Sequence, residues 1–226
     1  MVRPQRKEVP GESDTEMKKP LMIELFAGLH GWGEGAVAEG FRVVGFDIVD
    51  MCAILGRKRP KGIDLVIQNV LTLHGSQFKD ADGIVASPPC QAYSYRAMPW
   101  SRAKALPPPS NELFDACFRI QREACEAAGR YIPMVVENVR GAQKWVDLPA
   151  KNRWGSFFLW GDVPALIPTG KPRKQVGVPS WFYENYENTA RRFSSHSKER
   201  KQWSAEIAKI PIELSSHIAR CFKPRS

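Results

Sequence analysis

Cys90 lies within the segment Ser87-Pro-Pro-Cys-Gln91, which offers a nucleophile on a stiff backbone. Each proline ring fixes its own φ angle, so the two prolines hold the following residue in place. Cysteine attacks electrophilic carbon as a thiolate, and a thiolate held in position is an efficient nucleophile. A buried, inert cysteine is the commoner situation. The two prolines, and the long loop predicted for residues 90–109, favour a catalytic role for Cys90.

Three other features suit a ligand site, although each has an ordinary structural alternative. Residues 26–33 read Phe-Ala-Gly-Leu-His-Gly-Trp-Gly, and such glycines let a ligand approach the backbone, as they also do in any α/β turn. Asp47 follows an apolar run and is placed to accept hydrogen bonds from ribose hydroxyl groups, or to serve a surface turn. Glu137 follows another apolar run, where a carboxylate is costly without a partner, such as a cap or salt bridge, or a role.

The elements that position these residues alternate between strands and helices. Apolar runs predict strands at residues 21–26, 41–46, 63–67, 83–86 and 131–136. Helical spacing predicts one helix at residues 32–40 and another that begins after Ser110 as N-cap and ends near Ala128. This alternation predicts an α/β fold with a doubly wound, mostly parallel sheet, in which ligands bind beyond the carboxyl ends of the strands. All four features fall at that edge.

The character of the sequence changes after Glu137. Residues 140–203 contain five tryptophans and many basic residues, and no clean period is visible between about 161 and 190. Two short helices are predicted at 204–210 and 212–222. We therefore expect a mobile tail at residues 1–20, a catalytic domain at 21–150, a short basic recognition region at 151–203, and C-terminal helices at 204–226 that pack back on the catalytic domain.

Positive charge is concentrated toward the C-terminal end. The chain carries a formal net charge of +9, and residues 151–226, with 14 Lys or Arg and 6 Asp or Glu, account for +8 of it. Such a segment suits a polyanionic partner, with a basic solvated face as the alternative. Within it, Lys171, Arg173 and Lys174 are candidates for phosphate contact, and residues 181–183, Trp-Phe-Tyr, for stacking on bases or for the core.

Other classes of protein are disfavoured. The five cysteines are odd in number and show no zinc spacing, and the four histidines are scattered, so we expect a reduced cytoplasmic protein without disulfides or metal. No apolar run approaches the ~18 residues of a membrane span. No apolar segment follows the basic N-terminus, so a signal peptide is not expected.

Taken in order, Phe-Ala-Gly-x-x-Gly, Pro-Pro-Cys-Gln and Glu-Asn-Val resemble the DNA cytosine-C5 methyltransferase family. The resemblance covers residues 20–140 well and the last 30 loosely, and the compact length is similar to phage and prophage forms. It implies a Rossmann-like domain that binds S-adenosylmethionine (SAM), a reduced DNA-contacting region, and double-stranded DNA as the partner of a monomer in a bacterial or phage-infected cell. Alternatives left open are a tRNA cytosine-C5 methyltransferase and a non-catalytic DNA- or SAM-binding relative.

The resemblance also implies a role for each matching residue. Cys90 would attack C6 of an extruded cytosine, and Glu137 would contact N3 and the amino group. Arg191 or Arg192 would contact the cytosine carbonyl or brace Glu137. In the SAM site, Asp47 would hold the ribose and Asn69 would face the adenine amino group. The full set of implied cofactor residues is Phe26, Ala27, Gly28, Gly31, Asp47, Asn69 and Pro88.

The sequence departs from the family pattern at several positions. His30 stands where the family commonly has glycine, so we expect the methionine end of SAM to be contacted differently. Asn69 replaces the usual aspartate. The arginine motif is met loosely by residues 188–192, and the late Gly-Asn signature is absent, with Ala208 near the expected asparagine. Little sequence remains for target recognition, which predicts a short target or loose specificity.

Overall fold

The computed structural model of the chain describes residues 19–94, 107–170 and 197–224. Its strands are β1 (Leu21–Leu25), β2 (Arg42–Asp47), β3 (Ile63–Ile67), β4 (Gly83–Ala86), β5 (Met134–Asn138), β6 (Asn152–Trp154) and β7 (Phe157–Gly161). Its α-helices are α1 (Gly31–Ala38), α2 (Met51–Leu55), α3 (Glu112–Ala128), α4 (Lys198–Ala208) and α5 (Ile212–Phe222). Residues 1–18 of the expected tail and residues 171–196 of the expected recognition region lie outside the described residues.

The strands form one seven-stranded sheet in the order β3-β2-β1-β4-β5-β7-β6. The first five strands of that order are parallel, whereas β7 runs antiparallel to β5 and β6 antiparallel to β7. The prediction of a doubly wound, mostly parallel sheet is confirmed. Because neighbouring parallel strands end at the same edge, the residues that follow β1, β2, β4 and β5 lie close together.

Side chains alternate between two cores, one on each face of the sheet. Ile84 and Val136 face the core that α3 covers, while Val85 and Val135 face the core that α1 and α5 cover. A strand buried on both faces reads as a continuous apolar run, as Gly83–Ala86 does. This is why the central strands could be found from apolar runs alone.

Helix α5 packs closely on α1. A Cβ atom added to Gly35 would lie 2.1 Å from the Ser215 Oγ atom and 2.4 Å from the backbone nitrogen of Ser216. Two ion pairs flank this contact, Lys209 Nζ to Glu34 Oε1 at 2.7 Å and an Arg220 guanidinium nitrogen to Glu39 Oε1 at 2.8 Å. The end of the described chain is thereby fixed on the helix that follows the glycine-rich turn.

The hairpin of β6 and β7 was not expected from the sequence. Residues 152–161 had been assigned to the recognition region, yet they extend the sheet, with Leu159 paired to Glu137 and Phe158 to Asn138 of β5. The boundary expected between residues 150 and 151 therefore falls inside the catalytic sheet. The segment Phe157–Gly161 shows no polar alternation because its central residues are buried.

Several element boundaries differ from the predicted ones for local reasons. Strand β5 begins at Met134 rather than 131, since Pro133 has no N–H group for the sheet. Helix α3 begins at Glu112 with Asn111 as N-cap, while the expected cap, Ser110, accepts a hydrogen bond from the Glu112 N–H. Helix α4 begins at Lys198, six residues before the predicted start at 204. The short helix α2 was missed.

Replacing Gly35 by alanine should lower the free energy of unfolding by about 1–3 kcal/mol, because the added methyl group overpacks the α1–α5 contact. Alanine is otherwise the better helix former by roughly 1 kcal/mol, so helix propensity alone predicts a more stable variant. The close packing predicts the opposite, a less stable one. Urea unfolding of Gly35→Ala measures the change, with Ala38→Ser on the exposed side of α1 as control. A Gly35→Ala chain as stable as wild type would contradict the close packing.

Candidate active site

Cys90 lies four residues beyond β4, on backbone that is held from two sides. Pro88 is buried, and its carbonyl oxygen accepts a hydrogen bond of 2.9 Å from the Asn138 side-chain amide. The carbonyl of Cys90 accepts from the Tyr93 N–H at 3.0 Å, which closes a turn directly after the cysteine. The thiol is half-buried. Burial first, and the charge of Glu137 second, raise the pKa of Cys90.

Glu137 lies near the end of β5 and is 9% exposed. The Ser87 hydroxyl donates a hydrogen bond of 3.1 Å to Glu137 Oε2 and in turn accepts one of 2.9 Å from the Trp32 indole N–H. Burial raises the pKa of Glu137 from 4.5 to about 8, against the hydrogen bond from Ser87, which lowers it. At neutral pH the carboxyl group therefore holds a proton that it can share with a bound base.

The glycine-rich turn after β1 has an unusual backbone. Phe26 and His30 both have left-handed φ angles, 59° and 58°, as does Gly28 at 50°. Each such non-glycine residue costs on the order of 1–3 kcal/mol, and strain of this kind clusters at ligand sites. The turn is clamped to β2 by hydrogen bonds from the Ala27 N–H to the Phe46 carbonyl at 3.1 Å and from the Gly28 N–H to Asp47 Oδ2 at 2.9 Å.

The glycines of this segment serve different purposes. A Cβ atom on Gly31 would lie 2.5 Å from the backbone nitrogen of Ile210, so glycine at this position leaves space for the segment between α4 and α5. A Cβ atom on Gly33 would likewise lie too close to the Glu24 and Ile63 side chains. Gly28 differs, because the nearest atom to a Cβ there is the Phe26 carbonyl oxygen at 4.0 Å. Gly28 is thus the glycine of the turn whose open side has room for a ligand.

Glu24 and His30 form a buried pair that the sequence did not reveal. Glu24 is 1% exposed, and its two oxygens accept from the Gly33 N–H at 3.0 Å and from His30 Nδ1 at 3.0 Å. A carboxylate can only accept, so Nδ1 carries the ring hydrogen. His30 Nε2 has no partner among the described residues. The signal was a glutamate within an apolar strand, which is costly without such partners.

The remaining predicted site residues are placed as follows. Asn69 is exposed just beyond β3, where its Oδ1 accepts from the Leu71 N–H at 3.0 Å and caps a short 3₁₀ turn. Asp47 ends β2 beside the strained turn. Arg191 and Arg192 lie outside the described residues, as do the loop residues 95–106. The structure therefore brings Cys90, Glu137 and the turn to one edge of the sheet.

The family model for C-5 cytosine-specific DNA methylases matches residues 21–147, more than half of the chain. The chain belongs to this family. Members of this family take their methyl group from SAM, which confirms the predicted cofactor. The predicted family and fold are confirmed as well, whereas the activity of the chain itself and the roles of individual residues stay predictions. No curated protein matches the chain.

Three solved structures are similar to part of the chain. A protein described as a DNA modification methyltransferase, encoded within a prophage of E. coli, is 25% identical over 55% of the chain, with a TM-score of 0.37. The Entamoeba histolytica methyltransferase EhMeth and the S. pombe Dnmt2 methyltransferase are each 16% identical over 57% of the chain, with TM-scores of 0.37 and 0.40. The matched parts cover 33%, 41% and 37% of those chains, so the chain spans well under half of their length.

The geometry of the site would accommodate SAM. Asp47 Oδ2 accepts from the Gly28 N–H, and the carboxylate group, beside the open side of Gly28, would be available to ribose hydroxyls. Ile48, the residue after Asp47, is 64% exposed and would offer a purine ring an apolar surface. Ile48 was not predicted from the sequence, although an apolar side chain directly after a strand-end aspartate was a usable signal.

Two absences among the described residues concern metal binding and membrane spanning. Within residues 19–94, 107–170 and 197–224, no group of three or more metal-binding side chains comes together. In the same ranges no helix has the length and apolar character needed to cross a bilayer.

Glu137→Gln should make the protein more stable than wild type at alkaline pH by on the order of a few kcal/mol. The folded chain keeps the Glu137 proton up to about pH 8, whereas the unfolded chain loses it near 4.5. Wild-type stability therefore falls as pH rises between these values, and glutamine, which cannot ionise, avoids the loss.

Thermal unfolding from pH 5 to pH 9 measures this difference. Glu213→Gln, an exposed change on α5, is the matched control and should show no growing difference from wild type. A constant gap between Glu137→Gln and wild type across the range would mean that the carboxyl group is not buried as described.

Proposed function

We propose that the chain methylates C5 of cytosine in double-stranded DNA through a covalent bond between Cys90 and C6 of the base. The observation that carries this proposal is that a half-buried thiol and a buried carboxyl group lie together beside the glycine-rich turn with the open Gly28. Family membership supplies the reaction class. Within the site, Cys90 is the proposed nucleophile and Glu137 the proposed acid.

The first step activates the base. The Cys90 thiol loses its proton to solvent, the resulting thiolate bonds to C6, and the electron pair of the C5–C6 double bond moves toward C5 and N3. Cytosine is too electron-rich to accept a thiolate readily, so a proton held against N3 by Glu137 stabilises the charge that develops there. The raised pKa of Glu137 suits this task, because the carboxyl group is protonated at the pH at which it must donate.

The later steps restore the ring. Bound SAM supplies an electrophilic methyl group for C5. Loss of the C5 proton to solvent and departure of the Cys90 thiolate then re-form the C5–C6 double bond. The N3 proton returns to Glu137 and the thiolate takes up a proton again, so both groups end as they began. Neutral Glu137 also assists Cys90, since without its charge one cause of the raised thiol pKa disappears.

The substrate must be extruded from the duplex for this geometry to act. Glu137 is 9% exposed and Cys90 is half-buried, so a base must leave its stack to contact both, and flipping a nucleotide costs a few kcal/mol of unstacking. The basic segment that includes Lys171, Arg173 and Lys174 is the proposed phosphate-contacting surface, and Arg191 or Arg192 the proposed partner of the base carbonyl or of Glu137.

Cys90→Ala should abolish methyl transfer while SAM binding stays within about twofold of wild type, since the thiol forms a bond that binding does not need. Labelled SAM is incubated with unmethylated duplex DNA and, separately, with tRNA. The control is Cys221→Ala, which removes an exposed cysteine. A covalent complex should form between wild type and DNA containing 5-fluorocytosine.

The outcomes of this experiment separate the alternatives. Methylation that survives in Cys90→Ala would refute the covalent mechanism. Label on tRNA but not on DNA would reassign the substrate. Label on neither, with intact SAM binding, would leave a non-catalytic binding protein.

Asp47→Ala should weaken SAM binding by about tenfold or more, because it removes a charged acceptor that fixes Gly28 and faces the ribose. Isothermal titration calorimetry measures the dissociation constant. Asp64→Ala, an exposed change on the neighbouring strand β3, should leave it unchanged. Equal affinity of Asp47→Ala and wild type would place the cofactor elsewhere.

A further inference from the structure

Glu137 is connected to the glycine-rich turn by two hydrogen bonds in series. Trp32, the second residue of α1, is 3% exposed, and its indole N–H donates to the Ser87 hydroxyl at 2.9 Å. The Ser87 hydroxyl lies 3.1 Å from Glu137 Oε2. These hydrogen bonds join three elements of the fold: α1, the end of β4, and β5. Neither Trp32 nor Ser87 takes part in the proposed bond changes.

In this series of two hydrogen bonds, each donor and each acceptor can be assigned. An indole nitrogen only donates, so the Ser87 oxygen must accept from Trp32. Ser87 has one hydrogen left to give, and Glu137 Oε2 is its acceptor among the described residues. The indole therefore orients the hydroxyl so that its hydrogen points at Oε2.

This direction decides where a proton on Glu137 resides. The oxygen that accepts from Ser87 is favoured as the carbonyl oxygen of the neutral carboxyl group, because a carbonyl oxygen is the better acceptor. The acidic hydrogen is then carried by Oε1, because the hydrogen bond that Ser87 donates to this carboxyl group goes to Oε2. Oε1 is the atom left to meet a ligand.

We propose that Trp32 and Ser87 are positioning residues that hold the Glu137 proton on Oε1, where it meets N3 of the target cytosine. This inference rests on the proposed function and names two residues that act through Glu137 rather than on the base. Since Trp32 directly follows Gly31, the same chain of hydrogen bonds ties the carboxyl group to the segment that fits SAM.

The two hydrogen bonds from Trp32 to Ser87 and from Ser87 to Glu137, here called the relay, also affect the acidity of Glu137. The hydrogen bond from Ser87 lowers the pKa of this group against the larger effect of burial. Among the described residues the titratable group that faces Glu137 is Cys90, in the loop after β4, while its neighbour on β7 is the apolar Leu159. Removal of the Ser87 hydroxyl must therefore move the Glu137 titration to higher pH.

The test combines an activity profile with a direct titration. In Ser87→Ala the alkaline limb of kcat/KM should move up by about one pH unit, and kcat at neutral pH should fall about tenfold with the KM for SAM within about twofold. Trp32→Phe should show a smaller shift in the same direction, because the Ser87 hydroxyl, without the indole as donor, is then free to rotate. Ser87→Thr, which keeps a hydroxyl, should restore the wild-type profile.

Infrared spectroscopy of protein labelled with ¹³C-glutamate follows the protonated carboxyl band without any substrate. The band belongs to Glu137 if Glu137→Gln removes it, and it should disappear at higher pH in Ser87→Ala than in wild type. Trp154→Phe is the matched control, because its buried indole donates instead to the Gly170 carbonyl. That variant should leave the titration unchanged.

The two readouts keep the inference separate from the proposed function. A band that titrates identically in wild type and Ser87→Ala, or that moves to lower pH, overturns the relay. Absence of methyl transfer by wild type, or its persistence in Cys90→Ala, overturns the proposed function, and the infrared titration still decides the relay.

Discussion

The register of the four central parallel strands governs the whole site. Leu25 of β1 lies beside Phe46 of β2 on one side and Ala86 of β4 on the other, and Ala86 lies beside Val136 of β5. The residues that come next along each strand must then form a row across one edge, and that row is Asp47, Phe26, Ser87 and Glu137. The glycine-rich turn, the Cys90 loop and Glu137 are adjacent because their strands are in step. A shift of one residue in any strand would turn its member of the row to the opposite face.

The same edge concentrates features that oppose stability. It holds a protonated carboxyl group in an apolar setting and two non-glycine residues with left-handed backbone. Fixed partners offset part of these costs. Glu24 braces the strained turn through His30 and Gly33, while Asn138 braces the Pro88 carbonyl from the neighbouring strand. The partners of the reactive groups are thus as informative about the site as the reactive groups themselves.

Most of the edge could be predicted from the sequence, because buried parallel strands are continuous apolar runs and Cys90 and Glu137 follow such runs. The hairpin of β6 and β7 could not, since Asn152–Trp154 is three residues long and Phe157–Gly161 lacks a period that distinguishes a strand from a buried loop. The link from Trp32 to Ser87 spans 55 positions and depends on how α1 rests on the sheet. Local patterns carry no information about such a distance. The family resemblance predicted which residues react but gave no indication of what orients them.

The close fit of Gly31 and Gly35 against residues 210–216 has a consequence for how the protein matures. The turn after β1 and the segment it packs against are separated by some 180 positions along the chain. Contacts of such long sequence separation form slowly and late, after the loop-closure entropy has been met. The parallel sheet can therefore form while the glycine-rich turn still lacks its packing partner. Final ordering of this turn should then be one of the last steps of folding.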